Sequence, residues 1–70
     1  MNSGTPNLQQ TLLMEINRVR EIILEYEKFP GGQLAALVIQ NDIKNAEQAI
    51  GEGDVVKMLI ALKNLKQCKL

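Results

Sequence analysis

From residue 8 onward, apolar side chains recur at Leu8, Leu12, Ile16, Val19, Ile23 and Tyr26, at steps of four, four, three, four and three. That alternation keeps one face of an α-helix apolar and narrow enough to pack as a seam. It predicts a first helix over about residues 8–28. Glu15 with Arg18, and Arg18 with Glu21, are spaced three apart on its wet side and support it modestly. Pro30 disfavours helical geometry at Phe29, and Gly31 and Gly32 follow, so the helix should stop near Lys28. Ahead of it, MNSGTPN is polar and turn-rich and reads as a flexible tail over residues 1–7. Thr5 or Asn7 is placed to cap the helix, and Pro6 suits a first helical position.

A second helical pattern, over about 33–50, carries Ala35, Ala36, Ile39, Ile43, Ala46 and Ile50 on its main stripe. The three alanines permit close approach of a neighbouring helix. IGEGD then stops one helix and starts another: Gly51 is suited to the left-handed conformation that ends a helix, and Asp54 to the N-cap of the next. The third pattern, over about 54–67, turns Val55, Met58, Leu59, Leu62 and Leu65 to one face. So short a link makes helices 2 and 3 an antiparallel hairpin. The expected fold is all-α, with three helices in a single domain over 8–70, the long first helix packing on the hairpin.

Apolar residues remain off these stripes. Leu13 and Leu24 share one flank of helix 1, Leu34 and Leu37 lie away from the Ile39/Ile43 face of helix 2, and Val56 and Ile60 lie away from Leu59 and Leu62 on helix 3. A single layer of three helices does not cover them all, which points to a homo-oligomeric bundle or a partner interface through these six residues. The alternative is that helix crossing tucks some of them inside, with Leu34 and Leu37 packing on Phe29.

Composition narrows the chemistry. Seventy residues make one domain, at a size where burial of only about 60% of the unfolded surface leaves the core marginal. The single Cys68 cannot form an intrachain disulfide, and the absence of histidine leaves no reasonable zinc set, so neither metal nor cofactor is expected. With Tyr26 and Phe29 the only aromatics, the core must be aliphatic. No apolar run approaches the roughly 18 residues of a membrane span and no signal peptide opens the chain; with a free thiol, the expectation is a cytoplasmic protein. Formal net charge is zero, which argues against nucleic acid as the main partner. The charge is uneven, however: residues 55–70 hold four lysines and no acid. Those lysines complement the negative end of the last helix dipole, or form a basic ligand surface.

Nothing in the chain composes an active site. Ser3, Thr5 and Thr11 have no histidine to activate them, Cys68 is two residues from the last position, and the carboxylate pairs Asp42/Glu47 and Glu52/Asp54 either miss a shared helix face or serve capping. No enzyme is expected. The corner FPGG is the one candidate ligand site. Unpaired amides at a helix start, with glycines that let a ligand close in, can hold an anion. Pro30, Gly31, Gly32 and Gln33 would supply the backbone, Tyr26 a stacking ring, and Lys28 with Arg18 or Arg20 the positive charge, once a neighbouring subunit closes over them. The competing reading is a purely structural corner. A DNA-reading helix-turn-helix is disfavoured because QLAALVIQ, which would enter the groove, is apolar.

The stretch from EINRVREIILEYEKFPGG through IKNAEQAIGEGDVVKMLIALKNLK resembles short uncharacterised helical proteins of phages and other mobile elements. The shared pattern is a helix, a Pro/Gly corner and a hairpin turned at Ala46-Glu47-Gln48-Ala49-Ile50-Gly51-Glu52-Gly53-Asp54. The resemblance carries no catalytic residue. It implies an accessory or counter-defence factor acting in the host cytoplasm, such as a helical oligomer that sequesters a nucleotide-like ligand. The alternatives it leaves are a module that binds and inhibits or regulates a host protein, and a purely structural oligomer subunit.

Overall fold

The first helix starts where a side chain can satisfy its loose amides. In the computed structural model, which describes residues 7–69, Asn7 is the N-cap of α1 (Leu8–Tyr26). Its Oδ1 accepts from the Gln10 amide at 2.8 Å, and Gln10 Oε1 accepts from the Asn7 amide at 3.1 Å, a reciprocal capping box. Thr5, Pro6 and the rest of the expected tail, like Leu70, lie outside the described residues. α1 ends at Tyr26, two residues short of Lys28: the Glu27 amide still reaches the Ile23 carbonyl, but Lys28 and Phe29 donate only three residues back. The chain has by then tightened into a turn.

α2 (Gly32–Glu52) and α3 (Val55–Lys66) complete a fold that is all-helical over the described residues, and each helix packs on both others. The core holds Leu12, Ile16, Val19, Ile22 and Ile23 of α1, Ala36, Ile39, Ile43, Ala46 and Ala49 of α2, and Met58, Ala61 and Leu65 of α3. Alanines from two helices meet in it, and that brings α2 and α3 close together. At 1.5 Å per residue, α1 and α2 run roughly 28 and 31 Å and α3 only about 18 Å. The molecule is therefore elongated, 47 × 24 × 16 Å.

Four expectations are corrected. Ile22 joins the α1 core, while Leu8 and Tyr26 are half-buried at its ends. On α2, Ala49 is buried, with Ala35 and Ile50 only half-buried. On α3, Val55 and Leu59 face solvent and Ala61 takes the inner position. Met58, Ala61 and Leu65 are spaced three and four apart and fill the seam, which leaves the neighbouring Val55–Leu59 row outside it. Finally, α2 runs through Gly51 to Glu52, and it is Gly53, at φ +66°, that takes the left-handed conformation. Asp54 caps α3 as expected, its carboxylate accepting from the Lys57 amide at 3.1 Å.

Candidate functional site

The corner between α1 and α2 is closed by backbone bonds. Gly31 sits at φ +80°, in the left-handed region that Cβ-bearing residues avoid. Gly32 is buried, and its amide donates to the Phe29 carbonyl at 3.0 Å. A Cβ built on Gly32 would stand 1.8 Å from the Tyr26 carbonyl oxygen, so the start of α2 rests directly on the last turn of α1. The Leu34 amide donates to the Gly31 carbonyl at 3.3 Å. Of the three amides expected to be bare, that of Gly32 is therefore engaged; those of Gly31 and Gln33 meet no acceptor among the described residues. Pro30 and Gln33 are exposed beside them.

The side chains proposed to serve this corner point in different directions. Arg18 and Arg20 are two residues apart, about 200° around the helix. Arg18 turns to α3: its guanidinium pairs with Glu15 at 3.0 Å and donates to the carbonyls of Leu65 and Cys68 at 3.0 and 3.1 Å. It thereby adds a second donor to the Leu65 carbonyl, which also accepts from the Cys68 amide at 3.0 Å, and reaches the Cys68 carbonyl just past the end of α3. Arg20 turns to α2 and meets Glu47 at 2.6 Å, with both side chains half in solvent. Lys28 pairs with Glu25 at 2.8 Å, and the Tyr26 hydroxyl donates to the Lys69 carbonyl at 2.9 Å. The structure thus brings Tyr26 and Gly32 together, and leaves the two arginines apart from the corner and from each other.

Beside Tyr26 lies an open trough formed with Ala35, Val38, Ile39 and Asp42 of α2 and the segment Gln67–Lys69 after α3. Cys68 borders it, half-buried, with Sγ 3.6 Å from the Asn64 carbonyl oxygen. Burial, reinforced by Asp42, pushes the thiol above its usual range against a smaller opposing pull from Arg18. The thiol is therefore held neutral, unsuited to nucleophilic chemistry. A second trough, on the side of α1 and α2 away from α3, runs between Arg20, Ile23, Leu24, Glu27, Gln40 and Ile43. Among the described residues no group of three His, Cys, Asp or Glu side chains is arranged to hold a metal. No described helix is long and apolar enough to cross a membrane.

All six residues expected at an interface are exposed: Leu13, Leu24, Leu34, Leu37, Val56 and Ile60. Leu34, the most exposed large apolar residue at 73%, does not fold back onto Phe29, which is itself exposed at the corner. Met14 and Val38, which sequence reasoning passed over, are equally outside, as are Phe29 and the two residues it had turned inward, Val55 and Leu59. For Val38 a signal existed, since it follows Leu34 by one helical turn and extends the same row. Comparison with known proteins finds no matching family model, no matching curated protein and no matching solved structure.

Proposed function

We propose that this protein is a non-enzymatic binding module that docks on a partner protein through the corner end of its α1–α2 hairpin. The observation that carries the reading is the row Leu34, Leu37 and Val38, three large aliphatic side chains on the outer side of the first turns of α2, next to exposed Phe29. Residues three and four apart on a helix are neighbours, so these side chains form one patch, and aliphatic patches on small domains mark interaction sites. The first turn of α2 carries no acid; charge lies at the edges of the patch, in Lys28 beside Phe29 and in Asp42 one turn after Val38. A partner helix with an apolar stripe is the chemistry that fits it. In the setting of a phage accessory or counter-defence factor, that partner is a host protein.

The nucleotide-sequestering reading has one observation in its favour: the unaccepted amides of Gly31 and Gln33 at an uncapped helix start. It is the second reading because Arg18, Arg20, Lys28 and Tyr26 already have partners within the chain. One pair of experiments separates the two. Affinity capture with the wild-type chain and with Leu34→Glu/Leu37→Glu, at unchanged helicity, should retain a protein on the first that is lost on the second. Equal capture by both chains overturns the docking reading. A melting-temperature rise with nucleotides or cyclic dinucleotides, of the size expected for about 2.7 kcal/mol at 100 times Kd, would establish the ligand reading in its place.

A further inference from the structure

α3 keeps more aliphatic surface outside than inside. It gives Met58, Ala61 and Leu65 to the core, while Val55, Val56, Leu59 and Ile60 stay between 53% and 65% exposed. Val56, Leu59, Ile60 and Lys63 are spaced three or four apart and share its outward side. Charge along that side is polar in the lengthwise sense. Glu52 and Asp54 stand at its start, and Lys63, Lys66 and Lys69 at its end. Lys63 and Lys66 have no carboxylate partner within the chain among the described residues, whereas Lys57 is paired with Glu52.

We propose that the outward side of α3 is the seam of a two-fold homodimer in which the α3 helices of two copies run antiparallel. With the axis between Leu59 and Ile60, these two residues pack on their counterparts at the centre. Val56 then faces the partner's Lys63, whose aliphatic stem covers it while the ammonium reaches on toward the Glu52–Asp54 turn, where Glu52 already pairs with Lys57 and Asp54 already caps α3. Lys66 comes level with the opposing Gly53. One patch thus complements itself, which is the requirement of a two-fold interface. The basic C-terminal end of each helix lies beside the start of the other, where the two carboxylates Glu52 and Asp54 outnumber Lys57. A parallel pairing would instead align Lys63 with Lys63 and Lys66 with Lys66, so the charge order selects the antiparallel arrangement. The seam is separate from the Leu34/Leu37 patch and does not depend on the role proposed for that patch.

Sedimentation equilibrium on the full chain should give twice the 7.8 kDa protomer mass. Ile60→Glu should raise the dimer dissociation constant by about thirtyfold or more, the loss typical of a central interface residue, with helicity unchanged because the side chain is exposed in the protomer. Orientation is read by oxidative cross-linking in a Cys68→Ser background. A mixture of Val56→Cys and Lys63→Cys chains should form the mixed disulfide, each chain alone should form little, and Ile60→Cys should link to itself. A single 7.8 kDa species at the highest soluble concentration overturns the proposal. So does efficient self-linking of both Val56→Cys and Lys63→Cys, which would mean a parallel seam. A dimer undisturbed by Ile60→Glu, or broken only by Leu34→Glu/Leu37→Glu, places the contact elsewhere and overturns it equally.

Discussion

The chain reverses direction twice, at FPGG and at GEGD, with two glycines in each link and one of each pair in the left-handed conformation. Their other glycines differ completely. Gly32 is buried with its missing side chain occupied by the Tyr26 carbonyl, while an added Cβ at Gly51 would meet nothing within 4 Å. The closing bonds differ as well. The first corner uses backbone donors only, while the second adds to its backbone bonds a side-chain cap at Asp54 and a Lys57–Glu52 ion pair across the turn. The same residue type therefore acts through steric clearance at one link and through backbone conformation at both. A glycine pair in a sequence does not by itself say which role is in force.

The largest expected effect tests the clearance. Gly32→Ala should cost more than about 3 kcal/mol, and Gly32→Leu should leave no folded chain, because a backbone oxygen cannot be displaced as a side-chain tip can. A domain of this size holds only about 0.05–0.15 kcal/mol per residue, so the loss removes a large part of the total. Thermal melts followed by circular dichroism provide the check, and a Gly32→Ala chain melting within two or three degrees of wild type would refute the close packing. Such a result would also revive Gly32 as a position kept open for a ligand.

The next contrast lies within GEGD. Gly53→Ala should destabilise by about 1 kcal/mol, since φ +66° is strained for a residue with a Cβ even though the space is open. Gly51→Ala should stabilise by roughly 0.5–1 kcal/mol, because Gly51 is an exposed position inside α2 where alanine is the better helix former. The two changes, two residues apart and chemically identical, are expected to move the melting temperature in opposite directions. Shifts of the same sign would mean that α2 ends at Gly51 after all.

That last possibility is the reading the sequence itself invites, and it marks how far sequence reasoning goes. The three helices, the Asp54 cap and the seam of Leu12, Ile16, Val19 and Ile23 follow from helical spacing and capping chemistry, and the structure has them. The choice between Gly51 and Gly53 depends on how far α2 must extend to return the chain to the core, which no local signal carries. The choice of Ala61 over Leu59 on α3 is of the same kind. The larger residue is the natural inner candidate by hydrophobicity, but helices that meet through Ala46 and Ala49 leave room for a small one. At the candidate site, the separation of Arg18 from Arg20 was readable from two residues of helix pitch. Their engagement with α3 and Glu47 was not, because those contacts span 47, 50 and 27 positions of sequence.

A smaller effect separates the ways the two links are held. Asp54→Ala removes the acceptor for the Lys57 amide and should cost about 1 kcal/mol in denaturant titration, with Asp54→Asn retaining most of it. At the first corner no side-chain cap exists to be removed, since Gly31 precedes α2 without one. Gln33→Ala, the neighbouring polar change there, should be close to neutral. A cost at Gln33 comparable to that at Asp54 would mean that the first corner also relies on side-chain capping.

The smallest effect is in pH. The Glu52 carboxyl is held below its ordinary 4.5, first by the hydrogen bond from Lys57, then by that from Gln48 and by the lysine charge, against minor opposing pushes from desolvation and then from Asp54. Lys57 is correspondingly raised above its ordinary 10.5 by the same bond. A carboxyl lowered in the folded state stabilises the fold above its unfolded value, and that stabilisation is lost as pH falls through the folded value. The raised lysine contributes below its unfolded value and loses its contribution as pH rises through the folded one. The pair therefore supports the second link between the acid and alkaline limits, weakly, because both groups are at the surface. Melting temperatures of wild type and Glu52→Gln should differ slightly near neutrality and converge once acid has protonated Glu52. Raising the salt concentration near neutrality should narrow the same gap, since an exposed pair is screened. Backbone donors and acceptors close the first corner, and they do not titrate over this range. A Glu52→Gln difference that persisted unchanged into acid would assign the ion pair no part in the turn, and would leave both reversals held by backbone and cap alone.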